Sequence, residues 1–238
     1  MVLLLLLVGA NYTRGQAVCD VDGNSYPVIV IGNQVWMAEN LKTTGYSDGT
    51  PIPMVTDASG WASLTTPSFC WYGNDSASYA AKYGALYNWY AVNPEVNGNR
   101  NLCPEGWHVP TDEDWKILAR YLADNGFGFE GERRDIAKAL AAASGWKPHN
   151  IVSSPGNDQV SNNRSGFNAV PAGYRNFLGA FNYAGSYAYW WSSSGHSPEK
   201  AFYRFIHSYY SYLGRNSFSK KNGFSVRCVC EKPAENKP

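Results

Sequence analysis

The most informative stretch of this sequence is Pro110-Thr111-Asp112-Glu113-Asp114-Trp115, which predicts the start of a helix. Thr111 is a favourable N-cap residue, and Asp114 stands three residues later, as in a capping box. The acidic residues also suit the positive end of the helix dipole. Apolar residues then recur at helical spacing up to Leu122, and Asn125-Gly126 follows. The pattern therefore predicts a helix over residues 112–124.

Two further stretches show helical periodicity. Aromatic and apolar side chains recur every three or four residues over 78–92, which predicts a helix there. Ile136, Leu140 and several alanines predict another over 132–143, with these side chains facing inward. The helices at 112–124 and 132–143 are the two main helices of the prediction.

Strands are predicted at both ends of the chain. Residues 18–37 predict a β-meander, because Asp22-Gly23 and Gly32-Asn33 are favourable turns between runs of β-branched residues. A long ordered loop follows, with a short strand near residues 69–72. Short aromatic runs separated by Gly, Asn and Ser predict later strands at 170–175, 189–193, 201–206 and 223–230. With no internal repeat, this order predicts one α+β domain.

The first eight residues are almost entirely Leu and Val. They are too few to span a bilayer, which needs about 20 apolar residues. We expect a signal-peptide-like leader over 1–17, a domain over 18–231 and a flexible tail over 232–238. The alternative is a chance apolar N-terminus. The leader predicts an extracellular or outer-cell-surface protein without a transmembrane segment.

The charge of the chain argues against a nucleic-acid partner. Charged residues make up 16% of the 238 residues, and the formal net charge is +1. Nucleic-acid-binding domains carry a basic patch or a strongly basic composition. Aromatic residues reach 15%, and tyrosine-rich surfaces of low charge are typical of extracellular binding proteins.

Residue patterns indicate no metal, cofactor or catalytic site. Asp20, Asp22 and Asn24 are explained by turn chemistry and lack the glutamate of an EF-hand. The four histidines are scattered, although His196 and His207 flank a predicted strand and would meet if they faced each other across a hairpin. Neither a nucleophile elbow nor a phosphate-binding glycine loop is present. We therefore expect no cofactor.

Several motifs occur in an order that resembles one bacterial family. They are residues 22–26, 31–41, 84–92, 103–111, 190–193 and 223–228. Over residues 18–230 the chain resembles the Fibrobacter succinogenes major paralogous domain, which implies a secreted or surface protein. Residues 107–115 and 223–227 are also similar, more distantly, to formylglycine-generating enzymes. Those enzymes and retroelement variable proteins share a C-type-lectin-like fold, which implies that the N- and C-terminal strands pair.

The resemblance also implies a disulfide pattern. The five cysteines are Cys19, Cys70, Cys103, Cys228 and Cys230. By analogy we pair Cys19 with Cys230 and Cys103 with Cys228, which leaves Cys70 free or able to displace a partner. Formylglycine generation needs a reactive cysteine pair late in the domain. Residues 190–206 contain no cysteine, and we therefore expect a protein that is not an enzyme.

The loop-rich, aromatic C-terminal half holds the candidate binding surface. Residues 174–218 are one third aromatic, and this late region faces the ligand in lectin-like folds. Aromatic rings and arginines favour binding hot spots. The predicted ligand-contacting residues are Tyr174, Arg175, Tyr187, Tyr189, Trp191, Arg204, Tyr209, Tyr210 and Tyr212. The alternatives are that Trp190 and Trp191 belong to the core, and that Tyr209, Tyr210 and Tyr212 form a structural ladder.

These observations support a binding or adhesion module that recognises glycan or a surface protein. The alternative is a structural subunit that packs against copies of itself in an extracellular fibre or surface layer, since exposed aromatics suit such assembly. A third hypothesis is an enzyme of the formylglycine-generating type that uses His196 or His207.

Overall fold

The structure, a computed structural model, describes residues 16–232, so most of the predicted leader and residues 233–238 of the predicted tail lie outside it. Its strands are β1 Ala17–Cys19, β2 Ser25–Ile31, β3 Gln34–Met37, β4 Phe69–Cys70, β5 Leu86–Tyr87, β6 Tyr174–Arg175, β7 Phe181–Asn182, β8 Tyr187–Gly195, β9 Lys200–His207, β10 Gly214–Ser219 and β11 Val229–Glu231. Its α-helices are α1 Ala58–Ser63, α2 Ser76–Tyr83, α3 Trp89–Val92, α4 Pro94–Asn97, α5 Asp112–Asp124 and α6 Ala137–Leu140.

The first sheet contains strands from both ends of the described chain. Its order is β1-β2-β3-β11, and all neighbouring strands are antiparallel. The predicted meander is confirmed, with the Asp22-Gly23 turn between β1 and β2. The last strand pairs with β3, where Cys230 lies opposite Val35. Early and late strands are thus brought together, although β1 and β11 form opposite edges of the sheet.

The second sheet, in the order β10-β9-β8, contains the predicted strands at 189–193 and 201–206. Tyr189 and Trp191 project into one hydrophobic cluster, whereas Ala188 and Trp190 project into a second cluster. Alternate side chains of a strand point to opposite faces. Because both faces of β8 are covered, apolar residues run without interruption from Tyr187 to Trp191 instead of alternating with polar ones.

Residues 222–230 run through the interior and are buried throughout. Their bridges join four strands: Gly223 pairs with Arg175 of β6, Phe224 with Tyr87 of β5 and Ser225 with Trp190 of β8, while Val229 pairs with Trp36 of β3. The strand predicted over 223–230 is therefore wrong in its length. Only β11 is a regular strand, because residues 223–225 each bond to a different strand.

The predicted helix over 112–124 is confirmed as α5, together with its capping box. The Thr111 hydroxyl accepts the Asp114 amide at 3.1 Å, and the Asp114 carboxylate accepts the Thr111 amide at 2.8 Å. Trp115, Leu118 and Leu122 are buried in the second hydrophobic cluster. The apolar stripe that predicted the helix is thus the face that packs against the sheets.

The other predicted helices are shorter than expected. In place of the second main helix over 132–143 there is only α6, because Ala141 is extended and the Ala142 amide donates to Ala169 at 2.8 Å. The helix over 78–92 is interrupted at Gly84, which has φ +73°. A Cβ there would lie 2.7 Å from the Leu41 carbonyl oxygen. The helix therefore ends at Gly84, where the backbone of Leu41 packs against the chain, and residues 86–92 form β5 and α3 instead of continuing α2.

One predicted disulfide is confirmed and the other is wrong. Cys103 and Cys228 are bonded, with Cα atoms 5.9 Å apart, whereas Cys19 and Cys230 are free. Two strands lie between β1 and β11, and three strand spacings amount to about 14 Å. A disulfide needs Cα atoms within about 7 Å, so the sheet order excludes the Cys19–Cys230 pair. Cys70 is free, as one of the two alternatives predicted, and buried.

Helix α5 is tied to the second sheet by a charge cluster at its first residue. The Asp112 carboxylate accepts hydrogen bonds from Arg204 of β9 and Arg215 of β10, each at 2.8 Å. Burial raises the pKa of Asp112, but the hydrogen bonds from Arg215 and Arg204 outweigh this and hold the pKa well below its usual value. The carboxylate is therefore ionised and neutralises a buried guanidinium.

Removal of the disulfide is expected to destabilise the fold without changing how its strands pair. The bond closes a loop of 125 residues, and the chain-entropy model assigns such loops about 2–5 kcal/mol. The variant Cys103→Ala/Cys228→Ala should lower the free energy of unfolding by that amount in urea titrations. Cys19→Ala, the control, should leave it unchanged. An equal loss in Cys19→Ala, or a mapped Cys19–Cys230 peptide, would contradict the sheet order.

The variant Asp112→Asn is expected to lower the free energy of unfolding by about 3 kcal/mol or more, because it leaves Arg204 buried without a counter-charge. Glu113→Gln is the matched control, since Glu113 is exposed and forms its ion pair with the exposed Lys116. It should change the free energy of unfolding by less than about 0.5 kcal/mol. Similar urea midpoints for the two variants would show that the charge cluster does not hold α5 in place.

Candidate binding site

The nine predicted ligand-contacting residues divide into a buried group and an accessible group. Arg175, Tyr189, Trp191 and Arg204 are buried, so their prediction as surface contacts is wrong. The accessible residues are half-buried or exposed, and they are Tyr174, Tyr187, Tyr209, Tyr210 and Tyr212. For these five, ligand contact stays a prediction.

The buried rings belong to the core, as the alternative for Trp190 and Trp191 predicted. Tyr189 stacks on Phe224 with ring centroids 5.0 Å apart, and Trp191 lies 4.4 Å from the same ring. The Trp191 indole donates to the Tyr87 carbonyl at 2.8 Å. Phe224 thus covers the part of β8 that the sequence alone placed on the surface.

The two buried arginines hold structural elements together. Arg175 donates to the carbonyl oxygens of Val55, Thr56 and Gly179, and its guanidinium lies 4.5 Å from the Trp61 ring. Arg204 donates to the carboxylate and the carbonyl oxygen of Asp112. Both guanidinium groups are occupied by internal acceptors and are not available to a ligand.

The accessible tyrosines join, through Tyr183 and His207, into one series of ring contacts. We name Tyr174, Tyr183, Tyr187, Tyr209, Tyr210 and Tyr212 the tyrosine track. Ring centroids are 6.0 Å apart for Tyr174–Tyr183 and 5.3 Å for Tyr183–Tyr187. His207 lies 3.7 Å from both Tyr187 and Tyr209. The series continues from Tyr209 to Tyr210 at 4.4 Å and from there to Tyr212 at 5.1 Å.

A cleft of about 480 Å³ opens along one part of this track. We name it the tyrosine cleft; its lining consists of Lys147, Pro148, His149, Tyr183, Ser186, Tyr187, His207, Ser208 and Tyr209. The volume lies within the range of small-molecule sites. Lys147 is the only lysine, arginine or acidic residue in the lining, so ring faces and uncharged polar atoms dominate the cleft.

Backbone hydrogen bonds join the walls of the cleft, although the walls come from distant parts of the chain. The Lys147 amide donates to Gly185 at 2.6 Å, the Gly156 amide to Ser208 at 2.8 Å and the Ser208 amide to Ser186 at 2.9 Å. A Cβ at Gly156 would lie 2.5 Å from the Lys147 carbonyl oxygen. The loop that carries His149 is thus packed directly onto the end of β9, and the cleft is preformed.

His207 is neutral at neutral pH. Its burial lowers the pKa to about 4, and nearby His149 contributes to the same shift. Its Nδ1 accepts the Tyr209 amide at 3.0 Å, so the neutral ring carries its proton on Nε2. Burial also raises the pKa of Tyr187, so its hydroxyl stays protonated. These two side chains therefore present neutral hydrogen-bonding groups.

Sequence reasoning missed Tyr183, His149 and Lys147 as parts of this site. Tyr183 is distinguished by its backbone conformation, because its φ of +63° is rare for a residue other than glycine. This feature is visible only in the structure. His149 and Lys147 lie on a loop without periodicity, and no sequence pattern joins them to the track. Tyr209, Tyr210 and Tyr212 lie in a turn between β9 and β10, and their rings share one series of contacts.

The possible His196–His207 pair is wrong. His196 lies beside Phe202 near the β8–β9 turn, whereas His207 lies at the far end of β9 opposite Tyr187, about 20 Å along the strand.

Within residues 16–232 no cluster of three or more His, Cys, Asp or Glu has the geometry to hold a metal. The Asp20 carboxylate accepts bonds from Asn24 and Tyr26, as turn chemistry predicted.

Fold and site together define a mixed α and β protein, with several small antiparallel sheets and an aromatic cleft at their edge. The chain belongs to the family described as the Fibrobacter succinogenes major domain, whose family model matches residues 29–230. This confirms the resemblance. The family's description states no activity or ligand. No curated protein and no solved structure matches the chain significantly. In the described part of the chain, no helix combines the length and apolar character needed to cross a membrane.

His207 is expected to make stability depend on pH. Between its unfolded pKa of 6.5 and its folded pKa of about 4, the unfolded chain binds more protons than the folded chain. The free energy of unfolding therefore falls as pH falls through this window. In urea titrations at pH 7 and pH 4.5, His207→Asn should lose less stability than the parent. His196→Asn, a control at an exposed histidine, should follow the parent. Parallel losses in parent and His207→Asn would contradict the assignment.

Proposed function

We propose that this chain is a secreted or cell-surface, non-enzymatic binding module that recognises glycan through the tyrosine track. The observation that carries the proposal is the continuous series of accessible rings along a preformed cleft. Tyr183 and Tyr212 are 54% and 41% exposed. Contiguous exposed aromatic surface marks interaction sites more often than isolated rings do.

The chemistry of the track suits sugars. A pyranose ring has an apolar face that stacks on tyrosine, and hydroxyl groups at its edge that exchange hydrogen bonds with neutral donors and acceptors. The His207 Nε2–H and the Tyr187 hydroxyl supply such groups. An extended row of rings also matches a ligand that repeats along its length, as an oligosaccharide does.

The composition of the cleft supports binding rather than hydrolysis. Most glycosidases place two carboxyl groups on either side of the scissile bond. The residues that line the tyrosine cleft include no Asp or Glu. We therefore propose that a sugar held there is recognised and released unchanged.

We further propose a C-type-lectin-like arrangement over one domain at 18–231, preceded by a leader at 1–17 and followed by a tail at 232–238. Its support is the pairing of β3 with β11 and the position of the track late in the chain. Export to the extracellular space or outer cell surface is supported by the Cys103–Cys228 bond, because disulfides persist in oxidising compartments.

A structural subunit that packs against copies of itself is the second candidate. Large apolar side chains are exposed on two loops outside the cleft, with Val152 at 61%, Val160 at 84% and Leu178 at 63%. Such positions suit contacts between copies of one chain. A surface protein as the ligand of the track is the remaining alternative.

Removal of the most exposed ring is expected to weaken glycan binding. Tyr183→Asn deletes the ring, and asparagine tolerates the positive φ at this position. The dissociation constant for whichever neutral oligosaccharide in a calorimetric panel binds the parent should rise about tenfold, as for a binding hot spot. Tyr121→Asn is the matched control, since Tyr121 is exposed on α5 outside the track.

Equal oligosaccharide affinities of Tyr183→Asn and Tyr121→Asn would show that the tyrosine track does not bind the sugar. A panel without any bound saccharide, together with large particles of the parent protein in light scattering, would replace the glycan proposal with self-assembly.

A further inference from the structure

The tyrosine track leads to a second cavity beyond Tyr212. This cavity has a volume of about 620 Å³ and lies between α5 and the segments at 133–136 and 212–213. Its apolar lining includes Ala119, Ala123 and Ile136. Three arginines, Arg120, Arg133 and Arg134, also line it, and we name it the arginine groove.

Two of these arginines have no counter-charge within the described residues. Arg133 pairs with Asp124. Asp135, the only acidic residue in the lining, accepts a hydrogen bond from Ser211 at 2.7 Å. Arg120 and Arg134 are exposed and form no ion pair with any residue of 16–232. The groove therefore combines an apolar floor with two unneutralised guanidinium groups.

We propose that the arginine groove is a second subsite for a carboxylate-bearing sugar, which makes the ligand an acidic oligosaccharide built from uronic acid units. This inference rests on the proposed glycan binding and narrows its ligand class. A guanidinium binds a carboxylate through two parallel hydrogen bonds. The exposed Tyr212 ring supplies a face on which the same sugar stacks.

Continuity with the track distinguishes this ligand from others of the same charge. Tyr212 contacts Tyr210, and Tyr210 contacts Tyr209, which lines the tyrosine cleft. One ring therefore separates the two cavities, and a single oligosaccharide chain reaches both. An acidic peptide would use the arginines equally well, but a row of ring faces favours a polymer made of rings.

The test compares an oligogalacturonate with its methyl ester, which has the same sugar chain without the charge. Calorimetry on the full chain should show tighter binding of the acid form. Arg120→Gln and Arg134→Gln should each weaken binding of the acid about tenfold and leave the ester unaffected. Lys200→Gln is the control for net charge, because Lys200 is exposed on β9 outside both cavities.

Each other outcome overturns a defined part of this inference. If the two arginine variants bind the acid as tightly as Lys200→Gln does, the arginine groove is not part of the binding site. Glycan binding by the tyrosine track would still stand in that case if Tyr183→Asn weakened binding of the ester. Tighter binding of an oligoglutamate, with the same dependence on Arg120 and Arg134, would make the partner an acidic peptide. Failure of the acid, the ester and every neutral oligosaccharide to bind would overturn the glycan proposal itself.

Discussion

The structure depends on the burial of residues 222–230, which bond in turn to strands from four sheets. At the centre of this segment the Arg227 guanidinium is buried and donates to Asn40 Oδ1 and to the carbonyl oxygens of Phe167 and Asn168. An arginine without a carboxylate partner is costly to bury unless acceptors surround it. The segments that supply those oxygens are therefore held at fixed positions, and the Cys103–Cys228 bond fixes the next residue.

This central segment decides which aromatic residues reach the surface. Tyr187, Tyr189 and Trp191 lie on one face of β8, yet Phe224 contacts only the latter two. Tyr187, at the start of the strand, is left at the edge of the cluster, where Tyr183 and His207 complete the cleft. Accessible rings consequently occur at strand ends and in turns, and the ring-rich middle of the sheet is interior.

Family membership and the candidate site concern different parts of the molecule. Most of the aromatic residues in the family motifs are buried, among them Trp36, Trp107, Trp190 and Trp191. The tyrosine track and the arginine groove lie largely outside those motifs. The family motifs therefore concern the folded core of this chain. The proposed ligand is inferred from the chemistry of the track and the groove, where neutral donors and ring faces meet two guanidinium groups that form no ion pair within residues 16–232.

The sequence by itself determined the elements whose evidence is local. Helix α5 follows from its cap and apolar stripe, and β8 and β9 follow from aromatic runs between turns. The concentration of aromatic residues in 174–218 was visible in the sequence for the same reason. Only the tertiary structure decided that Arg175, Tyr189, Trp191 and Arg204 are interior and that Cys19 lies too far from Cys230. It also brought His149 and Lys147 to the cleft. The physical reason is that periodicity shows which side chains share a face, whereas burial and proximity depend on what distant segments cover that face.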